Sequence, residues 1–171
     1  MKKYSVFFIL SFALIFVFNF TARAQNKSKN EILNDAALTK VVPTSFYFAG
    51  QSAQTQMRNA VAAKFGENHY VIAGLVDTSG YSTEISGKYE GFIITDSVIN
   101  IGGKSLNIGA YGFGFSKDGK VNIFDLSGKE ILSASTANDS EMRRPRPLLM
   151  TNGANGVRLY KGKSYVLISA K

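Results

Sequence analysis

Apolar and polar positions along the chain fall into three regimes. The first is a continuous apolar stretch from Val6 to Phe18, preceded by Met1-Lys2-Lys3 and followed by Ala22-Arg23-Ala24. A basic start, a run shorter than the ~20 residues of a spanning helix and two small residues flanking Arg23 predict a secretory signal peptide over residues 1–24. The cut is expected after Ala24, leaving no membrane-spanning segment. The second regime, residues 25–43, is polar with one helical signal. Ser28 stands three residues before Glu31, the spacing of a reciprocal N-terminal cap, and Ile32, Leu33, Ala36 and Ala37 then share one helical face. Pro43 lies where such a short helix has to stop.

From residue 44 to 171 the pattern is that of strands. Residues 55–65 fit either period, because Met57, Val61 and Phe65 suit a helix while Met57, Asn59, Val61, Ala63 and Phe65 suit one face of a strand. The strand reading is favoured, since Gly66-Glu67-Asn68 turns directly into the apolar run His69 to Val76. Gly-Lys pairs recur at 87–88, 103–104, 119–120, 128–129 and 162–163, most of them ahead of a short apolar run. Glycine supplies the positive φ of a tight hairpin and lysine starts the next strand with its charge in water. Gly50-Gln51-Ser52, Asp118-Gly119 and Asn152-Gly153 are further turn signals. Together they predict an all-β domain over 44–171, an antiparallel meander of about eight to ten strands with one short N-terminal helix. Gly109, Gly112 and Gly114 lie inside one strand, which points to bends or close backbone approach and thus to a small barrel or a two-layer sandwich.

Composition narrows the chemistry. The 171 residues carry 20 Lys and Arg against 12 Asp and Glu, a formal charge of +8, but Lys2, Lys3 and Arg23 belong to the signal segment and the remaining 147 residues carry only +5. The absence of cysteine excludes disulfides, thiol catalysis and Cys-ligated metals, and a single histidine excludes multi-His zinc motifs. No cofactor is implied. The expected destination is the periplasm or the medium.

Several motifs tempt. Asp77-Thr78-Ser79-Gly80 resembles the aspartic-protease loop but has Ser79 where that loop needs glycine, so a turn is expected. Gly-Lys-Ser at 103–105 and 162–164 lacks the glycine that opens a phosphate loop, Val98 and Val157 standing there instead. Gly109, Gly112 and Gly114 have the wrong order for a dinucleotide fingerprint. His69 is a lone imidazole beside a turn, without a serine elbow to serve. Asp77, Glu84, Glu90 and Asp96 are the carboxylates from which a small acid–base hydrolase would be built. The strongest charged feature is Arg143-Arg144-Pro145-Arg146-Pro147. Arg143, Arg144 and Arg146, on a backbone kept extended by proline, suit bidentate recognition of phosphate or carboxylate, or else pair with Asp139 and Glu141 or stand solvated. No aromatic side chain is interleaved with them, which argues against nucleic acid.

Val42 to Ser52 (VPTSFYFAGQS), Leu75 to Tyr81 (LVDTSGY) and Arg158-Leu159-Tyr160-x-Gly162 resemble blocks of a family of uncharacterised exported bacterial all-β proteins. The resemblance spans residues 42–168. It implies a shared fold and export and transfers no functional residue. The leading expectation is an exported, soluble, non-catalytic binding domain. Its ligand would be a small apolar molecule inside the fold or an anionic envelope component at the arginine loop. The alternatives are the carboxylate hydrolase and an assembly partner acting through exposed strand edges.

Overall fold

A computed structural model describes residues 30–66 and 68–171. The signal segment expected over residues 1–24 lies outside the described residues, as does Ser28. Where the capping spacing predicts a helix start, Glu31–Ile32 instead forms a short strand, β1, paired with Lys64 and Ala63. The helix, α1, comes later, at Asp35–Val41. Its cap is Asn34, whose side chain accepts a hydrogen bond from the Ala37 amide at 3.0 Å, with Asp35 in the first turn and Lys40 in the last. Glu31 therefore serves a sheet rather than a cap.

The remaining elements are β2 (Ser45–Phe48), β3 (Gln51–Phe65), β4 (His69–Val76), a short helix α2 (Thr83–Ser86), β5 (Gly91–Thr95), β6 (Ile99–Ile101), β7 (Lys104–Leu106), β8 (Gly109–Ser116), β9 (Lys120–Phe124), β10 (Glu130–Ser135), β11 (Ala137–Asn138), β12 (Arg146–Gly153), β13 (Gly156–Gly162) and β14 (Ser164–Ala170). The strand reading of residues 55–65 holds. The strand total is 14 among the described residues, above the expected eight to ten, because long apolar runs split and very short strands were not visible in the pattern. Four of the five Gly-Lys pairs mark hairpin turns, with Gly103, Gly119, Gly128 and Gly162 all at positive φ. Gly87 is the exception and ends α2 in helical geometry. The first hairpin turns at Ala49-Gly50, both at positive φ, one residue before the expected turn. The turn expected at Asn152-Gly153 falls two residues later, at Ala154-Asn155.

Two antiparallel sheets form a sandwich. The larger runs β1-β3-β4-β5-β8-β9-β10 with β2 on β3, and the smaller runs β12-β13-β14-β6-β7 with β11 on β14. Of the two architectures expected, this is the sandwich; no closed barrel forms. The plain meander is corrected as well. β6 and β7 leave the larger sheet between β5 and β8, and Ile99 and Ile101 pair with Ala170 and Ile168 in the other layer. At one seam β12 packs along β3 without joining its ladder.

Val71, Ala73, Leu75, Ile93, Phe113 and Ile123 of the larger sheet meet Ile101, Leu148, Met150, Leu159, Val166 and Ile168 of the smaller one. The opposite face of the larger sheet is buried too, under Leu38 and Val42 of the α1 end, Phe46 and Phe48 of β2, and Tyr81 and Tyr89 of the 77–90 connection between β4 and β5. Burial on both faces explains why β4 reads as a continuous apolar run instead of alternating.

That second face is organised by a cross-strand row, Gly74-Phe92-Gly112-Phe124, paired directly across β4, β5, β8 and β9. Phe46 stacks on Phe92 at 4.8 Å between centroids, and Phe48 lies over Gly112 and stacks on Tyr89 at 3.9 Å. A Cβ at Gly112 would enter the Phe48 ring, and one at Gly114 would collide with the Lys88 carbonyl oxygen. The glycines of β8 therefore mark close approach, not a bend. Gly114→Ala is expected to cost about 2–3 kcal/mol, the upper part of the overpacking range, because the obstacle is backbone. Gly80→Ala, whose nearest neighbour would be 3.7 Å away, should leave the urea midpoint unchanged.

Surface turns add an acid sensitivity. Lys120, at 2.8 Å, and Ser116 hold the Asp118 carboxyl down to about 2, and bonds from the Ser127 hydroxyl and Lys129 amide lower Asp125. A carboxyl lowered in the folded state stabilises above its ordinary range and loses that contribution as pH falls through the folded value. The urea midpoint should thus hold steady down to about pH 4 and fall below it, and Asp118→Asn should flatten that decline.

Candidate functional site

The loop between β11 and β12 is built on Asp139. Its amide donates to the Lys163 carbonyl at 2.9 Å, and its carboxylate accepts from the Glu141 amide at 3.1 Å and the Tyr160 hydroxyl at 2.9 Å. Arg158 bonds the same hydroxyl at 3.4 Å and lies over the Tyr165 ring at 4.9 Å. With Asp139 engaged this way, the expected pairing of the loop arginines with Asp139 and Glu141 does not form. Arg143, Arg144 and Arg146 are exposed, and none of their side chains has an ion pair or hydrogen-bond partner among the described residues.

Arg146 opens β12 at a bulge, the ladder shifting between Arg146 and Leu149. This places its side chain on the walls of two surface depressions. The first, a cleft of about 520 Å³, is lined by Phe115, Ser116, Lys117, Thr136, Pro145, Arg146, Pro147, Lys161 and Ser164. Three cationic side chains and three hydroxyls thus share one cleft with Phe115 and the proline pair. Arg143 and Arg144 precede the cleft residue Pro145 directly in the chain.

Lys161 comes from the end of β13 and is paired with Glu90, which also accepts from the Phe115 amide at 3.0 Å. Partial burial lowers the Lys161 ammonium below its ordinary value even with that carboxylate beside it. Lys117 and Lys161 were not among the residues singled out from sequence. Glu90 and Lys161 are 71 positions apart, and no local pattern announces such a pair. A cue to Lys117 was its place beside the predicted Asp118-Gly119 turn.

The second depression, a groove of about 510 Å³, lies at the seam where β12 packs along β3 and is lined by residues of β1, α1, β3 and β12. β3 is bulged there between Thr55 and Ala60. The Gln56 side-chain amide fills part of the broken ladder by donating to the Val76 carbonyl at 3.0 Å.

The candidate hydrolytic carboxylates sit apart in function. Asp77 accepts from the Ser79 amide at 3.0 Å in the expected turn, a bond that lowers its carboxyl. Glu84 pairs with Lys88 at 3.7 Å, Glu90 with Lys161, and Asp96 accepts from the Tyr70 amide and stands 3.5 Å from His69. His69 is exposed. Among the described residues no cluster of three or more His, Asp or Glu side chains is poised to hold a metal.

Compared with protein-family models, curated proteins and solved structures, the chain matches none.

The Glu90–Lys161 pair joins the 77–90 connection to the smaller sheet, so its two halves should differ in weight. Glu90→Ala removes the acceptor of the Phe115 amide and leaves a half-buried ammonium alone, a loss of about 1–3 kcal/mol with Lys161's remaining contact with water keeping it toward the low end. Lys161→Met keeps the packing and leaves Glu90 its amide bond, and should cost less than half as much. Urea melts of the two variants read the difference.

Proposed function

We propose that the chain is an exported domain that binds an anionic component of the cell envelope through the arginine loop and the adjoining cleft, without transforming it. The observation that carries this reading is the set of three exposed arginines whose side chains have no protein partner, Arg143, Arg144 and Arg146, the last of them sharing a cleft with Lys117 and Lys161. Guanidinium groups left unpaired on a proline-stiffened segment lose little freedom when they close on a carboxylate or phosphate. The hydroxyls of Thr136 and Ser164 supply neutral donors for the same oxygens. Export, expected from residues 1–24, and the resemblance to exported bacterial proteins support a target outside the cytoplasm. A ligand housed inside a barrel is not part of this reading, because the space between the sheets is occupied by a packed apolar core.

A column carrying alginate, a carboxylated polysaccharide, tests it. The chain should be retained and should elute with salt. Replacing Arg143, Arg144 and Arg146 together by Ala should weaken retention about tenfold or more, as loss of charge-assisted bonds requires. Lys40→Ala, which removes a cation on α1, should leave it unchanged. Equal retention of the triple variant and the unaltered chain overturns the reading.

A further inference from the structure

The seam groove differs chemically from the cleft with which it shares Arg146. Its floor and walls include Leu38 of α1, Val61 of β3, and Leu148 and Met150 of β12, and its whole lining lacks an aromatic ring. Two guanidiniums also line it, Arg58 from the β3 bulge and Arg146 from the β12 bulge. Both are exposed, and neither side chain has an ion pair or hydrogen bond among the described residues. The one carboxylate in the lining, Asp35, leaves a net positive charge. A volume of about 510 Å³ lies within the range of small-molecule sites.

We propose that this groove takes the aliphatic chain of a single-chain anionic amphiphile, with its head group held between Arg58 and Arg146. The inference rests on the anion-binding reading, since Arg146 serves both depressions, and it adds the chemical class of the ligand. Aliphatic walls with methionine among them accommodate a flexible hydrocarbon chain better than a rigid ring system. Unpaired arginines select a carboxylate or phosphate head over a neutral one. The neighbouring stretch of the chain itself, Gln25 to Lys29, is polar and carries two lysines, so it matches neither the walls nor the charge of the groove.

Calorimetric titration of the chain with laurate, a twelve-carbon carboxylate, and with caprylate, an eight-carbon one, both below their micelle concentrations, tests this. Laurate should bind one to one, and each methylene removed should weaken binding about fourfold. Val61→Trp should weaken laurate at least tenfold while retention on alginate stays unchanged. Met57→Trp, at a half-exposed groove position, gives the same test if the Val61 variant does not fold. Arg58→Ala should weaken laurate and spare alginate. Retention on alginate without laurate binding overturns the amphiphile and leaves the anion site standing, whereas loss of both overturns the two readings together. Unchanged laurate affinity in either correctly folded tryptophan variant overturns the groove as its seat. A concentration-dependent dimer dissolved by those variants does so too, because the groove would then be covered by a second copy.

Discussion

The row Gly74-Phe92-Gly112-Phe124 is the constraint on which the rest of the larger sheet depends. Two glycines alternate with two phenylalanines across four strands, and the spaces above the glycines are filled by the aromatic rings. Phe46 and Phe48 bring β2 down onto that face, and Tyr89 fixes the 77–90 connection by stacking on Phe48. Burial pushes the Tyr89 phenol well above its ordinary value, so it remains neutral beneath the layer. The next residue is Glu90. Its amide donates to the Phe113 carbonyl at 2.9 Å and its carboxylate reaches Lys161 in the other sheet. An aromatic layer on the far face of the sheet thereby determines where the lysine in the cleft can sit.

This dependence explains what was legible in the chain and what was not. Hairpin turns are local, so the Gly-Lys pairs disclosed four of them, and the turn at Gly66-Glu67-Asn68 favoured a strand for residues 55–65 where the periodicity fitted strand and helix alike. The glycines of β8 announced close approach, but the residue that approaches, Phe48, is more than sixty positions upstream of Gly112. The displaced helix start has the same origin. Glu31 has the spacing of a cap, yet pairing of Glu31–Ile32 with β3 places them in a strand and moves capping to Asn34. The arginine loop was visible as composition. Its freedom was not, because that follows from Asp139 being engaged by Tyr160 and by the loop's own backbone.

The groove was illegible for a further reason. It lies where β12 packs along β3 without pairing to it, beside a bulge in the β3–β4 ladder between Thr55 and Ala60 and another in the β12–β13 ladder between Arg146 and Leu149, with Pro147 in it. Continuous pairing along that seam would have closed the sandwich toward a barrel and removed the space. Gln56 stabilises the interruption from within, bonding the Val76 carbonyl and accepting from the Asn59 side chain at 2.8 Å. Such side-chain substitutes for ladder bonds leave no periodic signature.

Arginine and proline at the start of an edge strand also have a purely protective use, since charge and a missing amide both discourage pairing with another chain. Protection accounts for Pro147 and for one cation on β12, and it works against assembly through this particular edge. It does not account for Arg58, which lies in the bulge of a different strand and lines the same groove as Arg146. Nor does it account for Arg143 and Arg144, which precede the strand and protect no ladder position. Protection would be served as well by lysine, whereas planar guanidiniums from two separate bulges lining one aliphatic groove suit the recognition of a flat carboxylate or a phosphate. On the proposed reading Arg146 would serve both ligand binding and edge protection, and Arg58, Arg143 and Arg144 would serve the ligand alone.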